Sequence, residues 1–257
     1  MPAIPLSELI TLLGLGAGLG FLGGLFGIGG GIIVIPLLVL GFGMDQTVAQ
    51  GTALVMMVPN LLMACWRYQQ RQPVAWRTAL PLGALACLST WAVAQLATGL
   101  PPATLRSIFA VFLLLLALRL LLQTQGDGPA RQRAPRDLRL LPLVGLVGGA
   151  SMGLLGVGGG LVATPLFTGW FRQSQTVAQS LSLALVAPSS LVALLTYGRA
   201  GRVDWSIGLP LALGGLFTVT AGVALALRLP ERRMRAAFAW MLLCTALWLL
   251  AKPLLLP

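Results

Sequence analysis

The sequence has no histidine, only six acidic residues (Glu8, Asp45, Asp127, Asp137, Asp204, Glu231) and three cysteines, Cys65, Cys87 and Cys244. Without histidine, and with no Cys-x-x-Cys spacing, no metal-ligand set is recognisable. A Ser-His-Asp triad is impossible, and so few carboxylates leave little material for an acid–base pair. An enzyme is therefore not expected, and no catalytic residue, metal or cofactor is assigned. The cysteines lie in or beside apolar runs and read as small packing residues, which says nothing about redox compartment. Charge is scarce as well, at 9% of residues, whereas soluble domains carry about a quarter. No basic stretch precedes Leu6, which argues against a cleaved signal peptide.

Apolar residues are what the chain has: 57% of 257, with a mean hydropathy of +0.91. A water-soluble core could not absorb so much apolar surface. Runs of ~20 apolar residues recur, and each matches the helix length that a hydrocarbon slab of ~30 Å requires. The expected class is all-α, a polytopic membrane protein whose first partner is the lipid bilayer. Its 32 Gly and 17 Pro suit membrane helices that pack closely or break. The net charge of +11 would suggest nucleic acid in a soluble chain. Here the basic residues sit between apolar segments, where they report orientation, so no nucleic-acid partner is expected.

The chain repeats itself. An offset of 129 residues aligns GLFGIGGGIIVIPLL (24–38) with GLLGVGGGLVATPLF (153–167), and QTVAQ (46–50) with QTVAQ (175–179). Between Leu12 and Leu82 the gap-free alignment gives 27 identities in 71 positions, including Pro59/Pro188, Tyr68/Tyr197, Trp76/Trp205 and Pro81/Pro210. Two homologous repeats, 1–124 and 140–257, thus flank a polar Gly/Pro/Arg linker, 125–139.

Each repeat holds five apolar segments: 6–26, 31–43, 47–65, 78–99 and 105–123, then 140–155, 160–171, 176–196, 207–227 and 236–251. The second of each set, at ~12 residues and ~18 Å, is too short to cross, so it makes half a crossing or depends on a break in its neighbour. If all five segments change sides, 13 of the 17 basic residues share one face, leaving Arg106, Arg199, Arg202 and Lys252 opposite. If the first two segments form one broken crossing, the split weakens to 11 against 6. The positive-inside rule favours the odd count, hence a cytoplasmic linker, external termini and an inverted-topology repeat.

Gly27, Gly29, Gly30 and Gly31, with their copies Gly156, Gly158, Gly159 and Gly160, precede the two short helices, which carry Pro36 and Pro165. Three consecutive glycines propagate a helix poorly, each costing ~1 kcal/mol relative to Ala. The break puts free backbone N–H groups at a helix start, a ready anion site inside a membrane. In inverted repeats, paired breaks point to the binding site; the alternative is a tight bend serving only packing. Gly16, Gly20 and Gly24, with Gly145, Gly149 and Gly153, form a bare face that reads as close helix packing.

Gln50 and Thr52 in one repeat, and Gln179, Ser180 and Ser182 in the other, offer neutral donors at the start of the third segment. They read either as ligand contacts or as caps and interhelical bonds. Pro59 and Pro188 lie inside apolar segments and predict kinks or hinges, as do Pro36 and Pro165. Asp45, whose repeat partner is Ser174, is the candidate for proton coupling, weighed against a turn or cap role. Trp66, Tyr68, Trp76, Tyr197 and Trp205 read as interfacial anchors, and Arg119 as snorkelling.

On GIGGGIIVIPL (27–37), GVGGGLVATPL (156–166) and the elements AQGTAL (49–54) and AQSLSL (178–183), the chain resembles the TauE/SafE family of sulfite-exporter-like permeases over essentially its whole length. The first element keeps the Thr (Thr52) but has Ala53 in place of the Ser, and the second keeps the Ser (Ser182) but has Leu181 in place of the Thr, so the hydroxyl set differs between repeats. The resemblance implies passage, in the export direction, of sulfite, organosulfonates or related small sulfur-containing anions across a bacterial cytoplasmic (inner) membrane. A passive anion channel and a membrane scaffold or assembly factor with purely structural glycine breaks are the competing readings. Homo-oligomerisation is left open.

Overall fold

The computed structural model describes residues 5–26, 30–71, 73–125, 140–157, 159–171, 173, 175–226, 240 and 242–248. Gly27, Gly29, Gly158, the linker beyond Gln125 and half of the tenth apolar segment lie outside the described residues. Nine helices are delimited among those described: α1 (Leu6–Phe26), α2 (Gly31–Gly41), α3 (Gln46–Arg71), α4 (Trp76–Gly99), α5 (Pro102–Gln125), α6 (Leu141–Leu155), α7 (Gly160–Trp170), α8 (Gln175–Arg199) and α9 (Trp205–Ala226). Residues 242–248 are also helical. Six of the helices, α1, α3, α4, α5, α8 and α9, are long and apolar enough to cross a membrane. The protein is thus an all-helical, multi-pass membrane protein.

The short second segments are as short as their sequence implies. α2 and α7 have 11 residues each, about 16 Å of helix. α2 starts immediately after Gly30, whose φ of 87° is open to glycine and strained for other residues. Gly156 closes α6 in the same left-handed region, at φ 63°. Pro36, Pro59, Pro165 and Pro188 all lie within continuous helices. In the two long helices, Pro59 and Pro188 free the carbonyls of Val55 and Ala184 from the helical ladder.

The glycine face of each first helix is a packing seam. A Cβ built on Gly16, Gly20 or Gly24 would run into the backbone of Leu211, Gly215 or Val219 on α9. The numbers rise together, so α1 and α9 run parallel. On α6, Gly145, Gly149 and Gly153 meet Leu82, Ala86 and Thr90 of α4 in the same way. Subtracting 129 from Leu211, Gly215 and Val219 gives Leu82, Ala86 and Thr90, so each repeat lends its fourth helix to the other's first. Hydroxyls staple the same seams: Ser89 donates to the Leu146 carbonyl at 3.0 Å, and its repeat partner Thr218 donates to the Ala17 carbonyl at 2.5 Å.

This exchange puts α3 and α8 at the centre, where 67% and 61% of their membrane-length windows are buried, against 39% or less for the other four spans. Nearly all the buried polar side chains belong to these two helices, among them Gln50, Thr52, Asn60, Ser180, Ser182, Ser189 and Ser190. In an apolar bilayer, such groups belong on the inside of a bundle. α5 closes one flank of the bundle: Phe109, Leu113 and Ala117 share a core cluster with Ile35 and Leu38 of α2 and with Leu242 and Ala246 of the tenth segment.

Candidate functional site

α3 and α8 are equivalent helices, and they run antiparallel. The Tyr68 hydroxyl near the end of α3 donates to Gln179 Oε1 near the start of α8, at 2.7 Å. At the other end, the Tyr197 hydroxyl donates to Gln50 Oε1 at 3.0 Å. The two bonds are one contact made twice with the repeats exchanged, as a two-fold relation demands. Tyr68 and Tyr197 therefore clasp the repeats together and are not simply interfacial anchors; Tyr197 is fully buried. Trp66 and Trp205, by contrast, are well exposed, in keeping with an anchoring role. The Trp76 side chain lies outside the described ones.

The two clasps are not alike in their surroundings. Around Tyr68 and Gln179 lies a cavity whose walls come from both repeats: Gly23 and Gly24 of α1, Asn60, Leu61 and Ala64 of α3, Gly160 and Thr164 of α7, Ser182, Leu183 and Val186 of α8, and Val219 and Val223 of α9. Its free space is about 30 Å³, room for one or two waters. A groove that shares Ala64, Val219 and Val223 continues from it to Arg67. Around Tyr197 the corresponding space is filled. Met152 stands where the other repeat has Gly23, and it packs with Leu54, Ala94 and Ala193 around the Tyr197 ring. The Tyr197 hydroxyl also donates to the Gly153 carbonyl at 3.1 Å.

The cavity's polar groups are neutral. Asn60 is 1% exposed, and neither its Nδ2 nor its Oδ1 has a hydrogen-bond partner among the described residues. An amide so buried and unpaired costs on the order of 1–3 kcal/mol, and a native protein keeps such a group for a reason. Gly215 of α9 lies alongside the Asn60 amide, and no side chain blocks it there. Gln179 spends its oxygen on Tyr68 and keeps its Nε2 donor. Ser182 and Thr164 are bonded to each other at 2.9 Å, with one hydroxyl hydrogen still to give. No lysine or arginine is among the lining residues.

Of the residues expected from sequence, the structure brings Gly160, Gln179 and Ser182 to this cavity. The others described lie elsewhere. Gly31 and Gly156 do approach each other, since a Cβ on Gly31 would lie 3.4 Å from the Gly156 carbonyl oxygen. Gly30 is closed in by the Leu19 carbonyl and Gly159 by the backbone of Gly148, each on the first helix of its own repeat. Gln50 Oε1 is taken by Tyr197 and its Nε2 is buried without a partner among the described residues, away from the cavity, while Thr52 Oγ1 accepts the Asp204 N–H at 2.9 Å, tying α3 to the start of α9. Ser180 lines a different cavity, beside Pro73 and Gln173. Asp45 is exposed in the α2–α3 turn and lines an outer cavity of about 320 Å³ with Gln46 and Arg106.

Asn60, Thr164 and the pairing role of Tyr68 escape a reading by motif. A lone polar residue in an apolar helix, such as Asn60, is the one signal that could have found them. Met57 and Leu61 beside Asn60 are buried, and the hydrophobic run hides the amide among core positions.

The structure is thus a doubled bundle of membrane-length helices with a small, mostly apolar cavity between its repeats into which a few neutral polar side chains are set. The sequence profile of the family described as Sulfite exporter TauE/SafE matches residues 12–249, and the chain belongs to that family. It is 27% identical to a probable membrane transporter protein of Xylella fastidiosa, covering 87% of each chain. It is 25% identical to a probable membrane transporter protein of Methanocaldococcus jannaschii, with 84% of this chain and 85% of the relative covered. With a Bacillus subtilis relative of the same description it shares 24% over 84% of this chain and 88% of the other. No solved structure matches it significantly.

Proposed function

We propose that the protein is a permease that exports a small sulfur-containing oxyanion, sulfite or an organosulfonate, across the bacterial cytoplasmic membrane. The observation that carries this reading is the unpaired Asn60 amide in a neutral cavity built by both repeats. Asn60 Nδ2 and Gln179 Nε2 are donors for oxyanion oxygens, and the Thr164–Ser182 pair can turn a hydroxyl hydrogen toward them. Gly160, the first residue of α7, adds the positive end of a helix. Family membership supports the sulfur-oxyanion class, since the family carries the description of sulfite exporter.

The repeats insert in opposite orientations on this reading, because equivalent helices α3 and α8 run antiparallel. The cavity continues toward Arg67, at the end of α3 where basic residues collect, so its opening faces the cytoplasm by the positive-inside rule. The linker 125–139 is then cytoplasmic and the termini are external. The opposite side is sealed by Tyr197 and Met152, which favours a carrier that alternates its access over a passive channel. With about 30 Å³ free, the walls must part to admit an oxyanion. The test is flux from proteoliposomes loaded with sulfite, sulfoacetate, thiosulfate or sulfate, with and without a pH gradient. Protein-dependent flux of sulfite supports the reading, and the absence of protein-dependent flux of any of the four defeats it.

A further inference from the structure

We propose that the cavity selects the singly protonated, singly charged form of its oxyanion, and that Asn60 is the residue that reads the proton. The inference rests on the permease reading and sharpens its substrate class. Asn60 is part of the cavity wall, and neither the donor nor the acceptor of its buried amide is paired with a described residue, so both are available to an oxyanion once the walls part to admit it. That holds whichever way the amide is turned, because neither atom has a partner. A fully deprotonated oxyanion offers only acceptors, so it would satisfy Nδ2 and leave Oδ1 facing a negative oxygen. A hydrogen oxyanion carries an O–H beside an S–O oxygen. It can give the proton to Oδ1 and take Nδ2, closing a two-point contact with one carboxamide.

Charge points the same way. Desolvation cost rises with the square of charge, so a dianion costs about four times as much as a monoanion to bury. Only a countercharge could offset that, and the described residues of the cavity wall include none. The charged and titratable groups facing it are few: Tyr68, from α3, and Arg67, which lines the adjoining groove and stacks on Trp66 at 5.9 Å from the ring centroid. α1, α7, α8 and α9 contribute none. What remains is neutral amides, hydroxyls and one helix start, enough for a single negative charge.

The experiment is a calorimetric titration of the purified full-length protein with sulfite, methanesulfonate and sulfate between about pH 6 and about pH 8. No side chain of a chain without histidine has its ordinary pKa in that range. Sulfite itself gains and loses its last proton there. Methanesulfonate is a monoanion throughout and has no O–H; sulfate is a dianion throughout. Sulfite affinity is expected to fall about ten-fold per pH unit above the ligand's own ionisation. Methanesulfonate should bind more weakly than hydrogen sulfite but evenly across the range, and sulfate should not bind. Asn60→Leu should erase the advantage of sulfite over methanesulfonate while leaving the thermal midpoint unchanged or raised, since it removes an unpaired amide. If Asn60→Leu does not fold, Asn60→Ala reads the same ratio. Sulfite affinity that is level or rises with pH overturns the proposal and leaves the permease reading standing, as does a ratio unchanged in the variant. Failure of every anion to bind at any pH overturns both.

Discussion

Tyr197 and Gln50 are joined at 3.0 Å across 147 residues of sequence, in the buried half of a clasp whose open half joins Tyr68 to Gln179. The same two side-chain types thus sit in two environments, one packed shut and one lining a cavity. In an inverted repeat, exchanging the two environments would move the opening from one side of the membrane to the other. The Tyr–Gln bonds are the part of the bundle that such an exchange must loosen and remake.

Tyr197→Phe is therefore expected to weaken the sealed side. The change removes a hydroxyl that serves both Gln50 and the Gly153 carbonyl, leaving buried acceptors unpaired at about 1–3 kcal/mol. Thermal unfolding of the detergent-solubilised variant should show a lower midpoint than wild type. Tyr68→Phe, in a half-buried place beside the cavity, should cost less stability and more flux. A midpoint for Tyr68→Phe below that of Tyr197→Phe would contradict the assignment of open and closed sides.

The glycine seam makes a prediction that discriminates within a single helix. Gly16 and Gly20 of α1 face α9 backbone closer than a Cβ allows, whereas Gly14 and Gly18 have nothing within 4 Å. Gly20→Val should lose about 1–3 kcal/mol or more to overpacking and reduce the yield of folded protein. Gly18→Val should be tolerated. Fluorescence-detected size exclusion of the two variants would reverse that order only if α1 packed through its other face.

Much of this arrangement is legible in the sequence, and the part that is not has a physical reason. The starts of α2 and α7 follow from GGG, because three glycines stop a helix locally, and the bare faces of α1 and α6 follow from four-residue spacing. Both are local signals. The clasp is not: Tyr68 meets Gln179 across 111 residues, and a tyrosine near a span end looks the same whether it faces headgroups or another helix. Gly30 and Gly159 show the converse ambiguity of a local signal. Their backbone freedom suggests ligand approach, yet the neighbours that need it are Leu19 and Gly148 of their own repeats.

Gly160 separates ligand space from packing space. A Cβ there would lie 3.9 Å from Ser182 Cβ, an ordinary contact, and inside the cavity. Gly160→Ala should fold normally, since Ala also favours the helix by about 1 kcal/mol over Gly. In proteoliposomes it should nonetheless slow oxyanion flux several-fold by filling scarce free volume. Gly159→Ala is the contrasting variant, because its Cβ strikes the Gly148 backbone and should lower the thermal midpoint. Normal flux in a well-folded Gly160→Ala protein would move the substrate away from the start of α7.

Orientation can be tested independently of transport. On the proposed orientation, the 13 basic residues that share one face when every segment changes sides would put the linker in the cytoplasm by the positive-inside rule. The antiparallel run of α3 and α8 then puts Arg67 at the same face as the linker and Arg199 at the opposite one. In a background with Cys65, Cys87 and Cys244 replaced, a single cysteine at Gln132 should resist a membrane-impermeant maleimide in intact cells and react after lysis. A cysteine at Gly201, exposed in the turn between α8 and α9, should react in intact cells. Labelling of the linker from outside would invert the whole assignment and turn the Asn60 cavity to the exterior.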